Sequence, residues 1–294
     1  CLWCQNPEGM DAGQGVWWEA RKCIGCLACV AACPSGALEA GEDGLHRDPA
    51  TCEVCGACVE ACPSQAMTFT GQRWSLEALM KEVLKDKDYY DAFGGGVTVS
   101  GGEPLSRHRF VASFFRRLQQ EKVHTALDTC GLAPTPALAS VLPHTDHVLF
   151  DIKLLDPEEH KRYTGHSNEL ILQNLAYVAD TIRQKRQQSD DGNHAMRLWI
   201  RTPLIPDATA TPDNITAISR YIDEHLGDVV DRWELCAFNR ACNQKYEKLG
   251  MDWHYAEYPL MDQRFIDRLR EIALSTGTSR ETLVVSGLVA KPSD

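Results

Sequence analysis

Eight of the thirteen cysteines fall into two tight runs. Cys23, Cys26, Cys29 and Cys33 follow a C-x2-C-x2-C-x3-C spacing that ends on Pro34. Cys52, Cys55, Cys58 and Cys62 repeat it and end on Pro63. In this spacing three thiolates hold one four-iron cluster and the fourth reaches the other cluster. The runs therefore assign Cys23, Cys26, Cys29 and Cys62 to one four-iron four-sulfur cluster, and Cys52, Cys55, Cys58 and Cys33 to a second. Zinc sites need only four ligands each and rarely repeat this spacing. A disulfide framework belongs to small secreted domains. Ligation points instead to a reducing compartment, and the expected location is cytoplasmic. Such clusters carry single electrons over potentials from about −700 to +450 mV.

A second set of chemically capable residues recurs where strands should end. Gly101, Gly102 and Glu103 follow an apolar run at 97–100. Asp128 closes a run at 123–128, and Asp151, Ile152 and Lys153 close one at 147–152. Arg201 lies late in 197–202, Asn239 follows 233–237, and a last run spans 282–286. Helical patterns lie between most of these runs. Ser75 can cap a helix whose apolar positions are Leu76, Leu79, Met80, Val83 and Leu84, and Phe110, Phe114 and Leu118 mark another helix face. Strands alternating with helices imply a parallel sheet or barrel, in which reactive groups gather at the carboxyl ends of the strands. Fewer than eight strands are visible, so the expected fold is α/β, a partial (β/α) barrel with an inserted ferredoxin domain carrying two four-iron clusters. The expected boundaries are 1–13 for the start of the barrel domain, 14–70 for the insert and 71–294 for the remainder.

The chain opens Cys1-Leu2-Trp3-Cys4-Gln5-Asn6-Pro7-Glu8 and later carries GGGVTVSGGEP, DTCG, DIK and KYEKLG in that order. With these motifs it resembles the radical S-adenosylmethionine (SAM) activating enzymes of glycyl radical enzymes, in the subgroup with two ferredoxin-type clusters. The resemblance covers essentially the whole chain. It implies that Cys1 and Cys4 are two of three thiolate ligands of a SAM-binding cluster, making three four-iron clusters in all. The remaining ligand would lie four positions before Cys1, next to a first barrel strand. The chain as given is thus expected to assemble the two auxiliary clusters but not a stable SAM cluster.

The resemblance further places Trp3 against the adenine and Gly101, Gly102 and Glu103 at the methionine amino group. Asp128 and Asp151 would flank a monovalent cation beside the SAM carboxylate, with Ile152, Lys153, Arg201 and Asn239 as further SAM contacts. Many relatives carry His where this chain has Asn239. Asn hydrogen-bonds but does not titrate. Cys130, Cys236 and Cys242 are expected to be unligated, and His144-x2-His147 structural. The KYEKLG segment, from Lys245 to Gly250, is a marker of the resemblance for which the residues alone suggest no role.

The activity so implied is reductive cleavage of SAM to a 5′-deoxyadenosyl radical, which takes hydrogen from a Gly of a large partner enzyme. An external reductant such as flavodoxin or ferredoxin would supply the electron. The alternatives are a radical SAM enzyme with another substrate, or an iron–sulfur electron carrier. The formal charge of −11 argues against a nucleic-acid backbone as partner. No apolar run reaches the ~18 residues of a membrane span.

Overall fold

A computed structural model describes residues 1–10, 15–42, 44–188 and 196–290. The boundary expected between residues 13 and 14 lies outside the described residues. In chain order the elements are β1 (Val16–Trp18), α1 (Ala28–Ala31), β2 (Leu38–Gly41), β3 (Gly44–Arg47), α2 (Ala57–Glu60), β4 (Met67–Phe69), α3 (Leu76–Val83) and α4 (Lys87–Phe93). There follow β5 (Gly96–Val99), α5 (His108–Gln120), β6 (His124–Thr129), α6 (Thr135–Val141), β7 (His147–Asp151), α7 (Pro157–Thr164) and α8 (Glu169–Gln188). The chain continues with β8 (Arg197–Leu204), α9 (Pro212–Leu226), β9 (Val230–Ala237), α10 (Asn243–Leu249), α11 (Gln263–Ser275) and β10 (Leu283–Ser286). Among the described residues, no helix is long and apolar enough to cross a membrane.

The chain divides into two compact units, one of Cys1–Leu2, Ser75–Asn239 and Tyr258–Asp294, the other of Trp3–Trp74 and Arg240–Glu257. The first is built on a six-stranded sheet in the order β10-β9-β8-β7-β6-β5. Every neighbouring pair is parallel. Parallel strands need long crossovers, which the intervening helices supply. Side chains alternate across the sheet with period two. Val148 and Phe150, Leu198 and Ile200, and Trp233 and Leu235 are fully buried, whereas Asp151, Arg201 and Glu234 between or beyond them remain half-buried. Phe115, Leu138, Val178, Ile218 and Leu269 from the helices are fully buried as well. Truncating such a side chain to Ala costs about 2–5 kcal/mol.

Local sequence explains the helix ends. The Ser75 hydroxyl accepts from the Ala78 N–H at 3.1 Å, as expected of a cap. Asp156 caps α7 through Glu158 and Glu159, with Pro157 in the first turn and Gly165 closing the helix in the left-handed region. The expected face of α5 is corrected by one step. Its buried side is Val111, Phe114, Phe115 and Leu118, while Phe110 is 38% exposed.

The second unit holds two antiparallel ribbons, β1-β4 and β2-β3, and the short helices α1 and α2. Val16, Leu38, Met67, Cys29 and Cys58 form its core. The two cysteine runs repeat each other in backbone as well as sequence. Left-handed residues recur at Gly25 and Val54, at Leu27 and Gly56, and at Gly36 and Gln65. Val54 at φ 52° is costly for a β-branched residue, so the turn before Cys55 is held by its surroundings. Residues 240–257, expected to continue the barrel, belong to this second unit.

Candidate active site and cluster sites

Cross-strand register gathers four charged residues on the half-buried face of the parallel sheet. Asp151 pairs with Arg201 between β7 and β8, and Asp128 pairs with Leu149, two positions before Asp151. The Arg201 guanidinium reaches both carboxylates. Its Nη2 lies 3.1 Å from Asp128 Oδ1 and its Nε 3.3 Å from Asp151 Oδ1. The Lys153 ammonium lies 3.0 Å from Asp151 Oδ2, and the Ser100 hydroxyl donates to Asp128 Oδ2 at 3.1 Å. The positive charge facing both carboxylates is therefore Arg201.

The environment shifts the titration of these groups. Burial pushes the Asp128 carboxyl up, against the pull of Arg201. For Lys153 burial works the other way, but Asp151, Cys130 and Glu103 outweigh it and hold the ammonium above its ordinary value. Arg201 is likewise raised by Asp151 and Asp128 despite burial. The cluster is thus two carboxylates and two cations, with the lysine side chain only 12% exposed.

Glu103 is turned inward. Oε1 accepts from the Leu105 N–H at 3.0 Å and the Thr129 hydroxyl at 2.7 Å, and Oε2 from the Cys130 N–H at 2.9 Å and thiol at 3.0 Å. It ties the loop after β5 to the loop after β6. Gly101 adopts φ +132°, which other residues rarely tolerate. At Gly131 of the DTCG motif, φ is +71° and a Cβ would run into the Phe150 ring. Ile152 is turned to the core. Its side chain is 1% exposed, its N–H donates to the Arg201 carbonyl at 2.9 Å, and its carbonyl accepts from the Thr202 hydroxyl at 2.9 Å. Asn239 is half-buried just beyond β9, and Trp3 is buried.

Three buried asparagines, not singled out from the sequence, fix the strand-end loops. Asn174 donates to the Gly131 and Ala133 carbonyls at 2.8 Å each and accepts from the Thr135 hydroxyl at 2.8 Å. Asn168 donates to the Leu154 and Leu155 carbonyls, and Asn214 to the Lys153 carbonyl. For Asn174 the available signal was a polar residue on the apolar face of α8, beside the buried Ile171, Leu175 and Val178. Cys130 is pushed up to about 12 by burial, with Glu103 adding to it against Lys153. Burial likewise pushes Cys236 up to about 11. His144 hydrogen-bonds Gln119, and His147 meets the Trp199 ring edge-on at 4.4 Å.

In the second unit, Cys23, Cys26, Cys29 and Cys62 line one cavity together with Ser64. Burial raises the Cys29 thiol, and Cys62 and Cys23 add to it. Burial also raises Cys58, where the added effect comes from Cys52 and Cys33. Cys62 of the second run thus shares a cavity with three cysteines of the first. At Cys33 burial opposes ionisation, but the Ser35 hydroxyl and the Ala37, Ser35 and Leu38 amides outweigh it. At Cys62 the Met67 amide and the Ser64 hydroxyl play that part. Hydroxyl and sulfur stand 3.7 Å apart in both repeats. A thiol lowered in this way suits metal ligation, and these residues fit four-iron clusters. All thirteen cysteines are free.

The opening segment and α10 also meet within this unit. The Cys4 sulfur accepts from the Asn6 N–H at 3.4 Å, and its carbonyl accepts from the Tyr246 hydroxyl at 2.9 Å. An N–H aimed at sulfur fits a thiolate metal ligand. Lys245 Nζ lies 2.7 Å from both Asn6 Oδ1 and Glu8 Oε1. The Lys245–Tyr246 pair, whose role was not legible in the sequence, holds the segment that carries Cys4.

Comparison with known proteins identifies the family. Residues 22–66 match the 4Fe-4S dicluster domain and residues 50–185 the Radical SAM superfamily. The chain is 34% identical to the (2S)-3-sulfopropanediol dehydratase activating enzyme of Klebsiella oxytoca, over 93% of this chain and 84% of that one. It is 33% identical to the indoleacetate decarboxylase activating enzyme of Tractidigestivibacter scatoligenes, over 86% and 76%. It is 30% identical to the trans-4-hydroxy-L-proline dehydratase activating enzyme of Clostridioides difficile, over 92% and 86%. A solved domain of a pyruvate-formate lyase-activating enzyme from Bacteroides vulgatus shares the fold. Its TM-score is 0.50 at 24% identity, covering 66% of this chain and 99% of that domain. With parallel-sheet charge cluster, paired cysteine runs and relatives matched over most of their length in agreement, the chain belongs to the radical SAM activating enzymes of glycyl radical enzymes.

Proposed function

We propose that this chain activates one glycyl radical enzyme, with SAM held by the charged residues of the parallel sheet. The observation that carries this reading is the convergence of Asp128, Asp151, Lys153 and Arg201 at the carboxyl ends of adjacent strands. SAM brings an α-ammonium, a carboxylate and a sulfonium, so its methionine end needs charges of both signs. Lys153 and Arg201 suit its carboxylate, and Gly101 and Gly102 allow backbone approach to its amino group. Asn239 serves the adenosine end. Glu103 acts by fixing the loop that carries the glycines. A monovalent cation beside the SAM carboxylate would share Asp128 and Asp151 with Arg201.

Cys1 and Cys4 are assigned to the SAM-binding cluster. Cys23, Cys26, Cys29 and Cys62 hold one auxiliary cluster, and Cys52, Cys55, Cys58 and Cys33 the other. When bound, the SAM-binding cluster would supply the one electron that splits SAM into methionine and a 5′-deoxyadenosyl radical, and an external reductant would refill it through the auxiliary clusters or directly. That radical takes the α-hydrogen of a Gly in the partner, where flanking amides spread the unpaired electron and no side chain blocks approach. The residues of this chain orient SAM and exclude water, while the cofactor does the hard chemistry. The reductant is a small electron carrier such as flavodoxin or ferredoxin, and the setting is cytoplasmic. Relatives of comparable identity are named for different partner enzymes, so identity alone does not select the partner here.

The test is anaerobic incubation of the reduced protein with SAM and the glycyl radical enzymes of its host. A carbon-centred radical by electron paramagnetic resonance, formed with 5′-deoxyadenosine, is expected. SAM cleavage without radical transfer to any glycyl radical enzyme of the host would refute the reading.

A further inference from the structure

Lys245 and Tyr246 are adjacent on α10, yet both are spent on the opening segment of the chain. Tyr246 is 4% exposed and its ring stacks on Trp253 at 5.2 Å, which aims the hydroxyl at one target. That target is the Cys4 carbonyl, 2.9 Å away, which the Cys242 thiol approaches at 3.8 Å. Lys245 holds the two residues that follow. Its Nζ reaches the Asn6 side chain and Glu8 at 2.7 Å each. Asn6 precedes a single 3-10 turn, Pro7–Gly9, whose first position is the buried Pro7. The same Asn6 sends its N–H to the Cys4 sulfur. Lys245 therefore acts on the sulfur through Asn6, and Tyr246 acts on the same residue through its carbonyl. Gly250 ends α10 in the left-handed region, so the helix stops one turn beyond the pair.

We infer that Lys245 and Tyr246 are positioning residues for the SAM-binding cluster. They lock the backbone of Cys4 and the N–H···S bond from Asn6, and so fix where this thiolate stands and how strongly it donates to iron. This rests on the assignment of Cys4 as a ligand of that cluster. Supporting groups around metal ligands set orientation and tune the metal, and their loss typically costs 10–100-fold in affinity or activity. Charge-assisted bonds such as those of Lys245 are stronger than neutral ones, so the lysine is the stronger of the two locks.

The experiment uses the full-length protein with all its clusters. Hydrogen exchange of residues 1–10 is followed by mass spectrometry, beside the change that SAM induces in the electron paramagnetic resonance spectrum of the reduced protein. Lys245→Met and Tyr246→Phe should speed exchange in this segment by about tenfold or more, in keeping with easier local opening. They should also diminish the SAM-induced spectral change while exchange across the parallel sheet stays as in the parent. Lys245→Arg should restore both. Should Tyr246→Phe fail to fold, Glu8→Gln tests the lock from the other side, and faster exchange is again expected. Parent-like exchange and spectra in Lys245→Met and Glu8→Gln, with Cys4→Ser abolishing the SAM-induced change, would overturn the lock and leave the Cys4 assignment standing. A SAM-induced change that survives Cys4→Ser would overturn that assignment, and the lock with it.

Discussion

Asp151 and Arg201 face each other across neighbouring parallel strands, and the same guanidinium crosses to Asp128 one strand further on. The two carboxylates share one arginine, and burial together with the Asp151 charge pushes the Asp128 carboxyl up against the pull of Arg201. Asp151 is also the ion-pair partner of Lys153.

Asp151→Asn should therefore weaken SAM binding by about tenfold or more, about 1.4 kcal/mol. Iron content should not change, because no cysteine ligand is involved. Calorimetric titration with SAM and iron analysis check both. Loss of iron together with SAM binding would assign the residue to the fold instead.

The Ser35 and Ser64 hydroxyls each stand 3.7 Å from a cysteine sulfur, Cys33 and Cys62. A hydrogen bond to sulfur raises a cluster's potential. Removing one worth about 1 kcal/mol should lower a one-electron potential by about 40 mV. Ser35→Ala should shift the cluster held by Cys52, Cys55 and Cys58, and Ser64→Ala the other. Redox titration of the single variants tests this crossing. A shift of the same cluster by both would contradict it.

Asn174→Leu should cost about 2–4 kcal/mol, since two carbonyls and a hydroxyl lose their partner in a buried site. The DTCG loop would loosen with it. Thermal unfolding and hydrogen exchange over residues 128–135 report the two effects, and an unchanged melting temperature would count against the role given to this side chain.

Alkaline stability should fall between about pH 9 and 12. Cys130 rises from an ordinary 9.0 to about 12 and Cys236 to about 11, both by burial. A raised folded value means that the unfolded chain ionises first. The stabilisation is complete below the unfolded value and disappears as pH climbs through the folded one. Lys153, also raised, acts in the same direction. Denaturant unfolding across this range should show a shallower decline in Cys130→Ala.

Much of the framework was legible in the sequence. The six parallel strands lie within a few residues of their apolar runs, because buried parallel strands read as apolar segments closed by polar residues. Register then put Asp128, Asp151 and Arg201 together, which required only that Asp151 and Arg201 hold matching places in adjacent strands. Phe110 misled because an aromatic at helical spacing looks buried whether or not a neighbour covers it. Ile152 lay between two charged residues and shared their motif, but alternation turned its side chain to the core. The role of Lys245 and Tyr246 was invisible for a different reason. Their partners lie up to 242 positions away, and no local pattern encodes a contact of that range.

That separation has a consequence for biogenesis. The second unit joins residues 3–74 to residues 240–257, so its last piece leaves the ribosome after nearly the whole parallel sheet has been made. At about 5–20 residues per second, the opening segment waits on the order of ten seconds or more for α10. During that interval Cys4 lacks Tyr246, while the two cysteine runs already have all their own ligands. The Cys4 segment is thereby secured only near the end of translation.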